Sequence, residues 1–168
     1  MIKKFILPKL NQGTTLVEAL VAIYILSMGI IPSLAAILLA NSLTSLIKDN
    51  LIAANLAQEG VEVVRAIRDE NWFNNRSFDT GLSDGVYRVE WSSTSLLSES
   101  GNPTMRLNSK GIYNYSTGTD TPFHRRITIT KIDPLVCNCE LKIVVEVSWL
   151  EKKKLKTASI ESHLFNWK

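Results

Sequence analysis

The sequence predicts an α+β fold, a long N-terminal helix packed on a C-terminal antiparallel sheet as a roll. Three patterns carry that expectation. Residues 16–47 are mostly apolar with a single acid, residues 52–67 place apolar side chains at every third or fourth position, and residues 141–149 alternate apolar and polar. The first pattern suits a membrane span, the second one face of a helix, the third one face of a strand. A helix with one apolar stripe and an antiparallel sheet with one apolar face bury each other. At 168 residues the chain has room for one domain and a membrane segment.

The chain opens on a short basic leader. Lys3, Lys4 and Lys9 lie there without an acid, and removing them leaves basic and acidic residues equal in number. The formal charge of +3 therefore describes the leader and not a basic surface, which argues against a general nucleic-acid binder. The lysines instead read as positive-inside anchors that keep the N-terminus in the cytoplasm. An ordinary secretory signal has an apolar region of about 7–15 residues followed by a small-residue cleavage site. Here the apolar run is far longer and the small residue, Gly13, precedes it.

From Thr14 to Asn71 the pattern is one helix, about 85 Å long at 1.5 Å per residue. Residues 14–48 are apolar all round and exceed the ~20 residues needed to span a bilayer. Glu18 stands alone within them. A carboxylate at bilayer depth costs about 2.5–3.5 kcal/mol, so its presence suggests a function. Gly29 and Pro32 interrupt the run. Pro32 has no N–H for the carbonyl of Met28, so a kink or a locally opened stretch is expected there. Residues 49–71 are amphipathic, with Ile52, Leu56, Gly60, Val63 or Val64, and Ile67 on one side and Gln58, Glu62, Arg65 and Asp69 on the other. Arg65 and Asp69 are spaced to pair along the helix.

Residues 72–168 read as a β domain outside the membrane. Residues 72–85 are rich in turn formers. Tyr87, Val89 and Trp91 alternate with polar residues, and 92–122 reads as a long surface loop with a short strand near Gly111–Tyr115. Alternation resumes from Arg126 to Ile132. Leu141–Trp149 is the clearest strand, and Glu151–Lys154 turns it into a last strand carrying Ala158, Ile160 and Leu164 on one face.

Candidate chemistry in this domain is sparse. Cys137 and Cys139 lie about 6.5–7 Å apart if the chain is extended, at the edge of bridging distance. They are a possible disulfide if Asp133-Pro134 bends the chain, and free thiols otherwise. One C-x-C without a second ligand pair falls short of a zinc site. His124 and His163 read as surface residues. No nucleophile–base motif, phosphate loop or carboxylate pair stands out, so no enzymatic activity, cofactor or metal is expected. Lys152-Lys153-Lys154 reads as a solvated turn that keeps an edge from pairing. Trp72, Trp91, Trp149 and Trp167 read as core or interface aromatics.

The run Lys9-Leu-Asn-Gln-Gly13-Thr14-Thr-Leu-Val-Glu18 resembles the processing site of type IV prepilins and pseudopilins. Residues 53–72 are similar to minor pilins of the pilus-modification kind. The resemblance implies cleavage by a prepilin peptidase between Gly13 and Thr14, N-methylation of Thr14, and a role for Glu18 in assembly. Thr14 stands where the family usually has Phe. Also implied are a pilin-like roll, a single-pass protein of the cytoplasmic membrane with its C-terminal domain outside, and later packing with other pilin subunits through the N-terminal helix in an extracellular filament. A pseudopilin of type II secretion or competence, a tip adhesin or DNA-binding minor pilin, and an uncleaved signal-anchored protein are the alternatives.

Overall fold

The computed structural model describes residues 15–132 and 139–167. The expected junction residues Gly13 and Thr14 lie outside them, as does Cys137. The chain falls into two compact units divided between Ser45 and Leu46. One helix, α1 (Leu16–Phe73), contributes to both.

In the first unit α1 starts at a threonine cap. Thr15 Oγ1 accepts the amide of Glu18 at 3.2 Å, and Thr15 O accepts the amide of Ala19 at 3.1 Å. Ser/Thr-x-x-Glu is the spacing of a capping box. Beyond the cap, leucine, isoleucine and valine side chains stand exposed on every side of the helix. The helix is long and apolar enough to cross a membrane. Its hydroxyls turn back on their own backbone, Ser27 Oγ donating to Tyr24 O at 2.8 Å, Ser33 Oγ to Gly29 O at 2.6 Å and Thr44 Oγ1 to Ala40 O at 2.9 Å. In hydrocarbon an unpaired polar group costs several kcal/mol, so these internal bonds suit the helix to lipid.

The expected opening at Met28–Pro32 does not form. Helix continues through Gly29 and Pro32. Proline deprives a single carbonyl of its donor, and a helix bonded on both sides of the gap tolerates that loss. The Ser33 hydroxyl also gives the next carbonyl, that of Gly29, a side-chain donor.

In the second unit the rest of α1 buries Ala53, Leu56, Ala57, Gly60, Val61, Val63, Val64 and Ile67. This is the stripe that the 3–4 spacing predicts, with Ile52 half-buried at its margin. Seven strands follow: β1 (Gly85–Arg88), β2 (Leu97–Ser98), β3 (Thr104–Leu107), β4 (Tyr113–Asn114), β5 (Thr119–Ile132), β6 (Glu140–Glu151) and β7 (Lys154–Phe165). Every pairing is antiparallel. β5 is the axis of the sheet. β6 pairs along one side of it, while β3 and then β1 share the other, so that Ile127 is opposite both Val145 and Tyr87. β7 closes the far side as a partner of β6 alone.

Residues 92–122 are more ordered than a surface loop. They hold β2, β3, β4 and the first residues of β5. The strands are too short to show alternation, and asparagines fix the turns between them. Asn108 Oδ1 accepts the amides of Lys110 and Ile112, and Asn114 Oδ1 those of Ser116 and Thr117. Gly118 permits the last turn. A Cβ there would lie 2.2 Å from Leu107 O, and its φ of +117° is one that side-chain-bearing residues avoid.

The inner face of the sheet carries Phe123, Ile127 and Ile129 from β5 and Leu141, Ile143, Val145, Val147 and Trp149 from β6, all buried. Helix and sheet pack tightly at Gly60, where an added Cβ would sit 2.9 Å from Val145 Cγ1 and 3.4 Å from Ile127 Cδ1. Overpacking such a contact typically costs about 1–3 kcal/mol. Gly60→Val is therefore expected to lower the unfolding free energy of the purified chain by that amount, seen as a lower denaturant midpoint. An unchanged midpoint would mean that the helix can move away from the sheet freely.

Candidate functional site

Charged residues in apolar surroundings fall into two groups, one at the start of α1 and one between α1 and the sheet. At the start, Glu18 occupies the first helical turn, where the partial positive charge of the helix end favours an acid. Capping uses the backbone amide of Glu18. Among the described residues its carboxylate has no hydrogen-bond or ion-pair partner, and the side chain stands in an exposed apolar segment. The residues that would decide its chemistry, Gly13 and Thr14, lie outside the described ones.

The second group centres on a residue that pattern reading passed over. Arg125 is fully buried, the bulkiest side chain among those with no exposed surface. It projects from β5 between Phe123 and Ile127, in the row that faces the helix. Its Nη1 donates to Glu59 Oε1 and to Leu56 O of α1, both at 2.9 Å, while Nη2 donates to Val89 O at 2.5 Å. A buried cation without partners would be prohibitive, and one carboxylate and two carbonyls meet that need here. Nε alone has no partner among protein atoms. The alternation read from Arg126 onward extends back through Phe123, and an arginine in phase with apolar positions was the available signal.

Around this bond lies a half-buried polar layer. Tyr115 Oη donates to Arg125 O at 3.4 Å, and the Tyr115 amide donates to Glu90 Oε1 at 2.8 Å. Burial raises the Tyr115 phenol above its ordinary pKa, against the lowering effect of Arg125 and Arg88. Arg126 pairs with Glu99 at 3.1 Å and Lys131 with Asp79 at 2.6 Å. These bonds hold β1, β5 and the connecting segments together.

The expected Arg65–Asp69 pair is not formed. Arg65 turns back to Glu62 at 2.7 Å, and Asp69 takes the Nε of its neighbour Arg68 at 2.8 Å. Arg68 is itself buried and lies 4.4 Å over the ring of Trp72, which meets Trp167 edge-on at 4.7 Å. Of the tryptophans, Trp149 is core, Trp72 packs against the core, and Trp91 and Trp167 are exposed. A cleft of about 340 Å³ lies beside Trp72, lined also by Arg76, Phe78 and Asn166, and is open to solvent.

Cys139 is disulfide-bonded, and its carbonyl accepts the amide of Asn166 at 2.7 Å, tying the start of β6 to the end of β7. His124 and His163 are both on the polar side of the sheet, half-buried and exposed respectively. Bonds from Glu161 and then Glu140 raise the His163 pKa above its usual value. Among the described residues no three His, Cys, Asp or Glu side chains are grouped to hold a metal ion. No family model, curated protein or solved structure matches the chain.

Breaking a buried ion pair by removing one partner costs about 3–5 kcal/mol. Arg125→Ala is expected to lose roughly that much in equilibrium unfolding, because Val89 O and Glu59 are left without their donor. Glu59→Gln keeps an accepting oxygen but leaves the fully buried guanidinium without its counter-charge, so a substantial loss is expected there too. Wild-type stability in Glu59→Gln would show that the carbonyls of Leu56 and Val89 alone suffice to hold the cation.

Proposed function

We propose that this chain is a prepilin-class structural subunit, a minor component of a type IV pilus or related filament. The reading rests on one observation above the others. A single acid, Glu18, occupies the first turn of an exposed apolar helix, four residues after Thr14 and five after the glycine that ends a basic leader. The α+β unit that follows supplies the folded head which such a subunit presents outside the membrane.

In this reading α1 holds the subunit in the cytoplasmic membrane with its N-terminus inside. A prepilin peptidase cuts between Gly13 and Thr14 and methylates the new amine of Thr14. The cut creates a cation within a turn of the Glu18 carboxylate. On assembly the apolar part of α1 leaves lipid for the filament interior, where neighbouring helices replace the acyl chains around it. A lone carboxylate there is costly unless paired. The amine of an adjacent subunit meets that need and fixes the axial register of one helix against the next. The membrane, the peptidase and other pilin subunits are the partners, and nucleic acid is not required.

Protein recovered from membranes that contain a prepilin peptidase is expected to begin at Thr14 and to carry one added methyl group on its amine, read by intact mass and N-terminal sequencing. A chain still beginning at Met1 overturns the reading. When Glu18→Ala is expressed beside the wild-type chain, it should be processed normally yet be depleted at least about ten-fold from sheared filaments, equivalent to a coupling loss of about 1.4 kcal/mol. Equal incorporation would remove the proposed role of Glu18.

A further inference from the structure

The β6–β7 hairpin ends in an exposed tip. Leu150 and Leu155 are directly paired across the two strands and are 67% and 69% exposed. They lie on the face of the sheet opposite Trp149. Between and beside them stand Lys152, Lys153, Lys154 and Lys156, all exposed, with Glu151 as the one acid of the tip. The turn residues Lys152 and Lys153 have φ of +46° and +67°. A two-residue turn of this kind favours Asn and Gly, so lysine at both positions is unfavourable for the hairpin alone.

The location of the tip narrows what it meets. Trp149, one residue before Leu150, packs 6.0 Å from Phe123. Phe123 in turn lines a cleft with Ile52, Asp49 and Lys48 of α1. The hairpin therefore points to the end of the second unit at which α1 enters it. Lys48 follows directly on the apolar segment that ends at Ile47. Chain continuity alone keeps a bilayer spanned by that segment close to Lys48.

We infer that the hairpin tip is a second membrane contact, with Lys153, Lys154 and Lys156 on the phosphates of anionic phospholipids and Leu150 and Leu155 in the headgroup boundary. The inference rests on the reading that α1 spans the membrane, and not on processing or assembly. Leucines on one face of the tip, with Lys154 and Lys156 on the other and Lys153 in the turn, match an interface that is apolar below and anionic above. A second copy of the tip would present the same positive charges and be repelled. The contact would orient the folded head on the bilayer before assembly, and its release would accompany extraction of the subunit.

The test uses the full chain in vesicles of phosphatidylcholine with and without phosphatidylglycerol, read by amide hydrogen exchange over residues 150–157. Each lysine at an anionic surface is worth about 1 kcal/mol, or roughly five-fold in the docking equilibrium. Exchange at the tip should slow at least about ten-fold on the anionic vesicles relative to the neutral ones. The variant K153E/K154E/K156E should lose that protection, as should L150S/L155S, while exchange in Ile143–Val147 stays unchanged and reports an intact sheet. Protection that is absent, or the same on neutral vesicles, overturns the inference even if the chain floats with the lipid. A chain that does not float with vesicles overturns the membrane-spanning reading and this inference with it.

Discussion

The fold turns on a buried guanidinium. Arg125 stands in the apolar row of β5 and reaches α1 at Leu56 and Glu59 and the chain just after β1 at Val89. Its three bonds diverge from one planar group, so helix, central strand and adjoining strand have few alternative arrangements. Hydrophobic contact alone is less selective, since a helix sliding along a row of valines and isoleucines loses little area. One residue along the strand, the side chains of β5 would exchange faces, and the charge would meet solvent while Arg126 entered the core. The buried ion pair thus specifies register, while the stability of the unit comes mainly from the apolar residues around it.

A single helix serves two surroundings, and its composition changes where the surroundings do. Up to Ile47 apolar residues cover the whole circumference, and hydroxyls are satisfied inside the helix. From Lys48 onward one side becomes charged and the other is shaped to the sheet, with no side chain at Gly60 to keep Val145 away. No break separates these parts. Pro32 removes one hydrogen bond from a segment whose other backbone groups are already paired, and unwinding there in an apolar medium would expose several more.

Much of this architecture was legible in the sequence because the relevant signals are periodic. The stripe Ile52 to Ile67, the alternation Leu141 to Trp149 and the hairpin after it each repeat often enough to identify one face. Within residues 92–122 only β4 was legible, as the short strand expected near Gly111–Tyr115. β2 is two residues and β3 four, too short for any period, and the turns around them depend on asparagine side chains. Arg125 was missed for the opposite reason. Its position fits the period, but its chemistry contradicts a buried face until Glu59, 66 residues earlier, is brought beside it by the fold. The Arg65–Asp69 spacing allowed a bond that closer partners took, Glu62 on one side and Arg68 on the other.

At the start of α1, local structure accounts for part of the pattern and leaves a remainder. A capping box explains why threonine is at position 15, since its hydroxyl satisfies an amide that the first turn leaves open. It does not require a charge at position 18, because the bond it makes is to the backbone of Glu18. Glutamine would serve the reciprocal half of the box equally well. In water the extra charge is inexpensive, and next to a helix N-terminus slightly favourable. In an apolar segment the same carboxylate costs about 2.5–3.5 kcal/mol, more than a cap contributes. The acid is therefore surplus to the needs of the helix itself, and the proposed cleavage would give it a partner in the new amine.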